Sequence, residues 1–481
     1  MDEVMFKDFA HEPAEPLLTR WFSPTAPYVC ARWFFLRALG LIFFSAFYSL
    51  WFQIHGLIGT RGILPVAGYL PLAKRAIGAK AYWFIPSLLW INSSDVALTI
   101  LVVAGTLASI TLTIGLFPRT SIAIALLCFL SFVAAAQDFS SYQSDGMLLE
   151  AAFLSLFLGR KDQRPAYAAI FLLRWEWFRI YFESGLVKIL SGEEQWRTLT
   201  AMDKYYENGP LPTFLGWHVQ QFPHSFHAAT AAITLIVELF VVWLMFVPSR
   251  RVRLALFIVT SLLQIGIILT ANYAFLNYLV LVLGFLLVED RRPRLSIVEL
   301  DRRGRLSSMG TAVVLTTHFV TTTAMFFMPG FPTAQLLSST RIVNNYGLFA
   351  VMTRERYEIE FVGTRDGRTW IAYPFRYKPQ NPFEAPRIYA PYQPRFEWNL
   401  WFASLGTVSE NPWVIGTEER LLENSPPVLR LFRSNPFRDK PPVAVRAMLW
   451  QYWFTTRDER AKTGAWWNRK LIGEYAPQLP Q

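Results

Sequence analysis

The stretch 165–190, PAYAAIFLLRWEWFRIYFESGLVKIL, is long enough to cross a bilayer, yet it carries Arg174, Glu176, Arg179, Glu183 and Lys188. Charges at membrane depth cost several kcal/mol each unless they pair or face a watery cavity. At about 100° per residue, Glu176, Arg179 and Glu183 fall on one helical face with i,i+3 and i,i+4 spacing, which suits an ion-pair ladder. Arg174 and Lys188 share roughly the opposite face. No broad side of such a helix can face lipid, so it must lie at the centre of a bundle.

The rest of the chain supplies that bundle. Hydrophobic residues make up 53% of the sequence and charged residues 17%, the balance of a polytopic membrane protein. Apolar spans fall at 33–54, 96–117, 120–137, 145–159, 165–190, 228–247, 252–270, 273–288 and 309–330. Placing the N-terminal segment 1–32 inside puts Arg119, then Arg160, Lys161 and Arg164, then Arg250, Arg251 and Arg253 on the cytoplasmic side. Arg291, Arg292, Arg294, Arg302, Arg303 and Arg305 follow on that side, while the opposite short loops 138–144 and 271–272 contain no Lys or Arg. The net charge of +11 is thus explained by positive-inside topology, and no nucleic-acid partner is implied. The expected fold is a mainly α polytopic membrane bundle of about nine transmembrane helices, residues 33–330, with the N-terminus inside and outer-side loops at 55–95 and 191–227.

Beyond Pro329 no further spanning run appears. Residues 356–377 read as strand, Asp-Gly turn, strand, a hairpin signal. We expect residues 340–481 to form an outward-facing, β-rich extramembrane domain with a closing helix near 443–454.

Few motifs carry chemistry. There is no GxSxG, P-loop, CxxC or HExxH, and no cofactor or metal site is expected. His224 and His227 have a spacing that could serve a metal, but no Cys or acidic cluster is nearby, so interfacial loop histidines are the simpler reading. His318, inside the last span, reads as a hydrogen-bonded packing residue. Asn92-Ser-Ser94 matches a glycosylation acceptor, for which chance suffices. In the structural reading of the charged span, Arg179 bridges Glu176 and Glu183, with Glu150 and Glu238 on neighbouring helices completing a buried network. In the functional reading, a partly desolvated Lys188 near the outer end is usable as a base.

Five segments together carry a resemblance: LRALGLIFFSAFYSLWFQIHGLIGTRGILP (36–65), WFRIYFESGLVKILSGEEQWRTLTAMDKYYENGPLPTFLGWHVQQFP (177–223), NNYGLFAVMTRERYEIEFVGTRDGRTW (344–370), APYQPRFEWNLWFASL (390–405) and NPFRDKPPVAVRAMLWQYWFT (435–455). The chain resembles the lipase maturation factor family in its charged span, its Trp-Arg-x-Leu-Thr-x-Met-Asp loop and its Pro-Tyr-x-x-Arg segment. Vertebrate members are endoplasmic reticulum membrane proteins that help secreted lipases fold and assemble. The resemblance therefore implies a secreted client protein, a lipase, and an integral-membrane location in a bacterial inner membrane or the endoplasmic reticulum. The vertebrate members bear lumenal cysteines, whereas Cys30 and Cys128 here lie at or inside apolar spans, which speaks against a thiol-linked mechanism. YFESGLVKILSGEEQW (181–196) is also distantly similar to a membrane segment of vitamin K-dependent γ-carboxylase, in which a lysine comparable to Lys188 acts on a quinone. The preceding helix lacks the histidine that an intact site of that kind implies.

Two functions follow as expectations. As a folding factor, the outward domain would hold its client, with Trp398, Trp401, Trp413, Tyr392 and Arg395 offering contact. As an integral-membrane enzyme on a lipid or quinone-like substrate, Lys188 would be the base, surrounded by Arg179, Glu183 and the outer-loop residues Trp196, Arg197, Asp203 and Tyr206. A transporter is disfavoured by the absence of repeats.

Overall fold

The structure, a computed structural model, describes residues 26–140, 142–159, 164–290, 302–328 and 330–480. The N-terminal segment up to residue 25, Arg160, Lys161, Arg291, Arg292 and Arg294 lie outside the described residues, as do the side chains of Arg302, Arg303 and Arg305.

Among the described residues, five helices are long and apolar enough to cross a membrane: α1 (Val29–Ile58), α2 (Asp95–Ile114), α3 (Pro118–Ala135), α6 (His224–Leu239, extended to Phe246 by a tighter turn) and α7 (Arg250–Thr270). The other four predicted spans coincide with helices that are short or charge-bearing: α4 (Gln143–Ser155), α5 (Tyr167–Leu190), α8 (Leu276–Gly284, continued to Leu287) and α9 (Arg302–Ala324). At about 1.5 Å per residue, α4 is too short to span hydrocarbon alone.

Local signals set the helix ends. Ser94 caps α2 by accepting from the Ala97 N–H, with Asp95 in the first turn, and Gly115 ends the helix in the left-handed conformation at φ 81°. Pro118 then opens α3. α1 crosses α2 closely because Gly105 has no side chain, and a Cβ there would lie 2.2 Å from the Phe47 ring. The loop 55–95 is largely helical, with Val66–Ile77 as its main element.

Beyond the bundle, a four-stranded antiparallel sheet runs in the order β2-β1-β3-β4, from β1 (Arg356–Thr364), β2 (Trp370–Ala372), β3 (Ala444–Phe454) and β4 (Trp467–Pro480). The β1–β2 hairpin matches expectation, its turn closed by Asp366 accepting from the Arg368 and Thr369 N–H groups at 2.8 and 2.7 Å. The expected closing helix at 443–454 is instead the strand β3, paired with β1 and β4. Register shifts after Val445, Ala447 and Leu449 move the buried positions from 445 and 447 to 452 and 454, which breaks the alternation a strand normally shows. The domain is less β-rich than expected, because α10 (Arg395–Ala403) and α11 (Trp413–Leu422) fill one side of the sheet.

Candidate functional site: a charged helix fastened to the outer domain

The helix α5 sits among α4, α6, α8 and α9, and its polar residues separate into three groups. At its N-terminal end, Arg174 donates to the Tyr28 hydroxyl at 3.2 Å and to the Met245 carbonyl at 3.0 Å. Tyr28 in turn donates to Glu289 at 2.8 Å, which also receives Arg253 at 2.5 Å.

In the middle, Arg179 is completely buried and forms an ion pair with Glu150 of α4. Glu150 also accepts from Asn344 at 3.0 Å and from the Tyr346 hydroxyl at 2.7 Å, and the His318 ring lies 3.1 Å away. Arg179 donates again to the Asn344 carbonyl at 2.8 Å, and its contact to Glu183 is a longer 4.0 Å. Arg179 therefore bonds most closely to Glu150, the carboxylate expected from a neighbouring helix, and to residue 344, with Glu183 at the edge of ion-pair range and Glu176 not bridged. Glu176 is buried with neither carboxylate oxygen hydrogen-bonded among the described residues. The reason is reach: an i,i+3 partner on the same helix competes poorly with a carboxylate and a carbonyl aimed from neighbouring elements.

Near the C-terminal end, Lys188 is 1% exposed and donates to both oxygens of Glu238 at 2.7 and 2.9 Å. Glu238 thus pairs with Lys188 and does not join the Arg179 cluster. α6 can approach this closely at Gly185, where a Cβ would come within 2.8 Å of the Glu238 side chain. Trp196 covers the ammonium, its ring centre 5.1 Å away. The other outer-loop residues go elsewhere. Arg197 donates to the Ile189 carbonyl at 2.9 Å, Asp203 holds His224 at 2.9 Å, and Tyr206 packs on the His227 ring. The two histidines therefore share no ligand site, and no cluster able to hold a metal occurs among the described residues.

The sequence marked the segment 344–353, NNYGLFAVMT, by resemblance but did not disclose its role as the link from the bundle to the C-terminal domain. It lies zipped along α5 and the loop that follows. The Tyr346 N–H donates to Glu183 at 2.5 Å, and the Leu348 N–H to Ser184 at 3.1 Å. Trp196 donates to the Phe349 carbonyl at 2.9 Å, Ser191 to Ala350 at 3.2 Å, Gln195 to Met352 at 3.0 Å and Asn208 to Thr353 at 2.6 Å. Two charges of α5, Arg179 and Glu183, and neutral side chains of α5 and the following loop thus satisfy an irregular backbone that has no secondary structure of its own.

A second fastener is Arg395, wholly buried, whose guanidinium binds Asp145 of α4 at 2.7 and 2.8 Å and the Phe139 carbonyl at 2.9 Å. Just before it, the chain follows α1: Ser45 donates to the Pro391 carbonyl, Gln53 donates to the Gln393 carbonyl, and the Gln393 N–H donates to Ser49, all within 2.8–2.9 Å. Tyr392 meets Gln53 at 3.2 Å. Trp398, Trp401 and Trp413 are 6%, 9% and 3% exposed. The expectation that Trp398, Trp401, Trp413 and Arg395 present an open contact surface is therefore corrected. The segment that carries them is wedged against the bundle, where aromatic area is buried.

A third fastener is Arg356 of β1, which donates to the carbonyls of Glu207, Gly209 and Pro210 in the outer loop. It is neutralised by Glu358, which also takes Lys378 at 2.6 Å.

Comparison with known proteins agrees with this two-part construction. Residues 30–294 match the lipase maturation factor transmembrane domain and 342–477 the lipase maturation factor C-terminal domain. The chain belongs to the lipase maturation factor family. It is 30% identical to lipase maturation factor 2 of Gallus gallus, covering 93% of this chain and 81% of the relative. It is 30% identical to lipase maturation factor 1 of Homo sapiens over 95% and 88% of the two chains, and 29% identical to that of Bos taurus over 92% and 88%. No solved structure matches. As a member of this family, the protein is an integral membrane protein, and buried charges lie where its two family domains meet.

Proposed function

We propose that the protein is a membrane-anchored maturation factor that assists the folding of a secreted client, a lipase by the names of its relatives. The observation that carries this reading is the zipper between α5 and residues 344–353, supported by Arg395. The membrane charges hold the outer domain rigidly on the bundle, which makes the bundle a platform and the domain its working face. We place the N-terminus inside and the C-terminal domain outside, the orientation that puts Arg119, Arg250, Arg251 and Arg253 on the cytoplasmic side. Client contact then falls on apolar residues that stay exposed on the domain, such as Leu471 and Ile472 of β4.

The alternative, Lys188 as base on a lipid or quinone-like substrate, is less well supported, because the ammonium is enclosed and bound to both oxygens of one carboxylate. The test is co-expression of a secreted lipase in cells lacking the protein. Reintroduced wild type should raise lipase activity per unit of secreted lipase, and Leu471→Asp with Ile472→Asp should abolish that gain while accumulating normally. Equal specific activity with and without the protein would refute the reading.

A further inference from the structure

Between the outer end of α1 and the C-terminal domain lies a cavity of about 520 Å³, within the range of small-molecule sites. Its α1 wall is Tyr48, Trp51 and Phe52, each roughly half exposed, and Tyr392 closes the opposite side. Arg376 and Arg430 also line the cavity, and the Arg376 guanidinium donates to the Arg430 backbone carbonyl at 3.2 Å.

Depth follows from α1 itself. Asp95, at the start of α2, accepts from Thr60 at 2.8 and 2.9 Å and lies 3.8 Å from His55, marking the polar boundary at that level. Tyr48 lies about 10 Å deeper by helical rise. The aromatic wall therefore occupies the interfacial depth where Trp and Tyr gather, and Arg376 and Arg430 line the same cavity from the C-terminal domain. Neither arginine forms an ion pair among the described residues, whereas Arg420, Arg433, Arg446 and Arg469 of the same domain each hold a glutamate. The carboxylate on the cavity wall, Glu397, already accepts from the N–H groups of Arg376, Tyr377 and Lys378 at 2.8, 2.7 and 2.6 Å.

Two unneutralised guanidinium groups sharing a cavity with an apolar aromatic wall at the membrane surface match a phosphodiester with an attached acyl chain. We propose that this cavity binds one phospholipid from the leaflet on the C-terminal domain's side, its phosphate between Arg376 and Arg430 and its chain along Tyr48, Trp51 and Phe52. The site lies at the joint between the two family domains and is independent of Lys188 and of the client surface.

The experiment is native mass spectrometry of the full chain, purified in detergent and titrated with phosphatidylglycerol. Wild type should retain one lipid, and Arg376→Gln with Arg430→Gln should weaken retention roughly tenfold, the loss of a charge-assisted contact. Trp51→Glu should weaken it as well through the acyl wall. Diacylglycerol, which has the chains without the phosphate, should bind poorly, and inorganic phosphate should not displace the lipid at equal concentration. Unchanged retention in both variants would overturn the proposal, as would phosphate binding as tightly as the phospholipid.

Discussion

Arg395 makes two hydrogen bonds to Asp145 and has no access to water, so removing it strands a carboxylate inside the protein. Arg395→Met should cost about 3–5 kcal/mol of stability, read as a lower thermal midpoint in detergent, and adding Asp145→Leu should recover most of it. Arg395→Lys should fall between, because a single ammonium cannot reproduce the two-pronged contact. Two carboxyls in the outer domain give a pH dependence. Burial pushes Glu397 up to about 7, against three backbone N–H donors, and pushes Glu418 up to about 8. Both hold a proton in the folded domain that the unfolded chain releases near pH 4. Stability should therefore decline as pH rises from about 4 to about 8, and Glu418→Gln should flatten the upper part of that decline. A thermal midpoint that climbs over this range would contradict the assignment. At this scale the sequence showed which residues are charged and where, but not their partners. Arg179, Lys188 and Arg395 all stood out, yet their partners lie 29, 50 and 250 positions away.

Elements were legible wherever a single period governed them. The predicted apolar spans coincide with helices, and the Asp-Gly turn marked the β1–β2 hairpin, because apolar runs and turn residues are local signals. β3 was misread because its register shifts mix the two periods, and the role of the connector 344–353 was invisible because its backbone is satisfied by side chains from elsewhere. A tight element contact gives a direct check. Gly56 of α1 packs so closely that a Cβ would meet the Pro427 carbonyl at 2.6 Å. Gly56→Val should force α1 away from the outer domain and cost about 1–3 kcal/mol, with limited proteolysis between residues 405 and 425 rising accordingly. Gly68→Val, where a Cβ meets nothing within 4 Å, is the control that should change little.

At the scale of the whole molecule, sequence patterning led to a bundle with an outward domain, and only the coordinates joined them into one body. The proposed orientation predicts that Cys30, exposed at the inner end of α1, resists a membrane-impermeant thiol reagent in sealed cells. A cysteine placed at Arg368, in the β1–β2 turn, should react with it, and the reverse pattern would invert the topology. We propose that the charges of α5 are structural and take no part in chemistry: Arg179 and Glu183 hold the connector 344–353, and Lys188 ties α5 to α6. The most direct test replaces the outermost pair with apolar residues, Lys188→Met with Glu238→Leu, and measures secreted lipase activity in cells lacking the wild-type protein, with membrane levels followed in parallel. A buried ion pair exchanged for well-packed apolar side chains is often neutral for folding. We predict that the double variant accumulates and restores active lipase, while Lys188→Met alone is depleted from the membrane by its stranded carboxylate. A double variant that accumulates normally yet restores no activity would contradict the account and make Lys188 a catalytic residue.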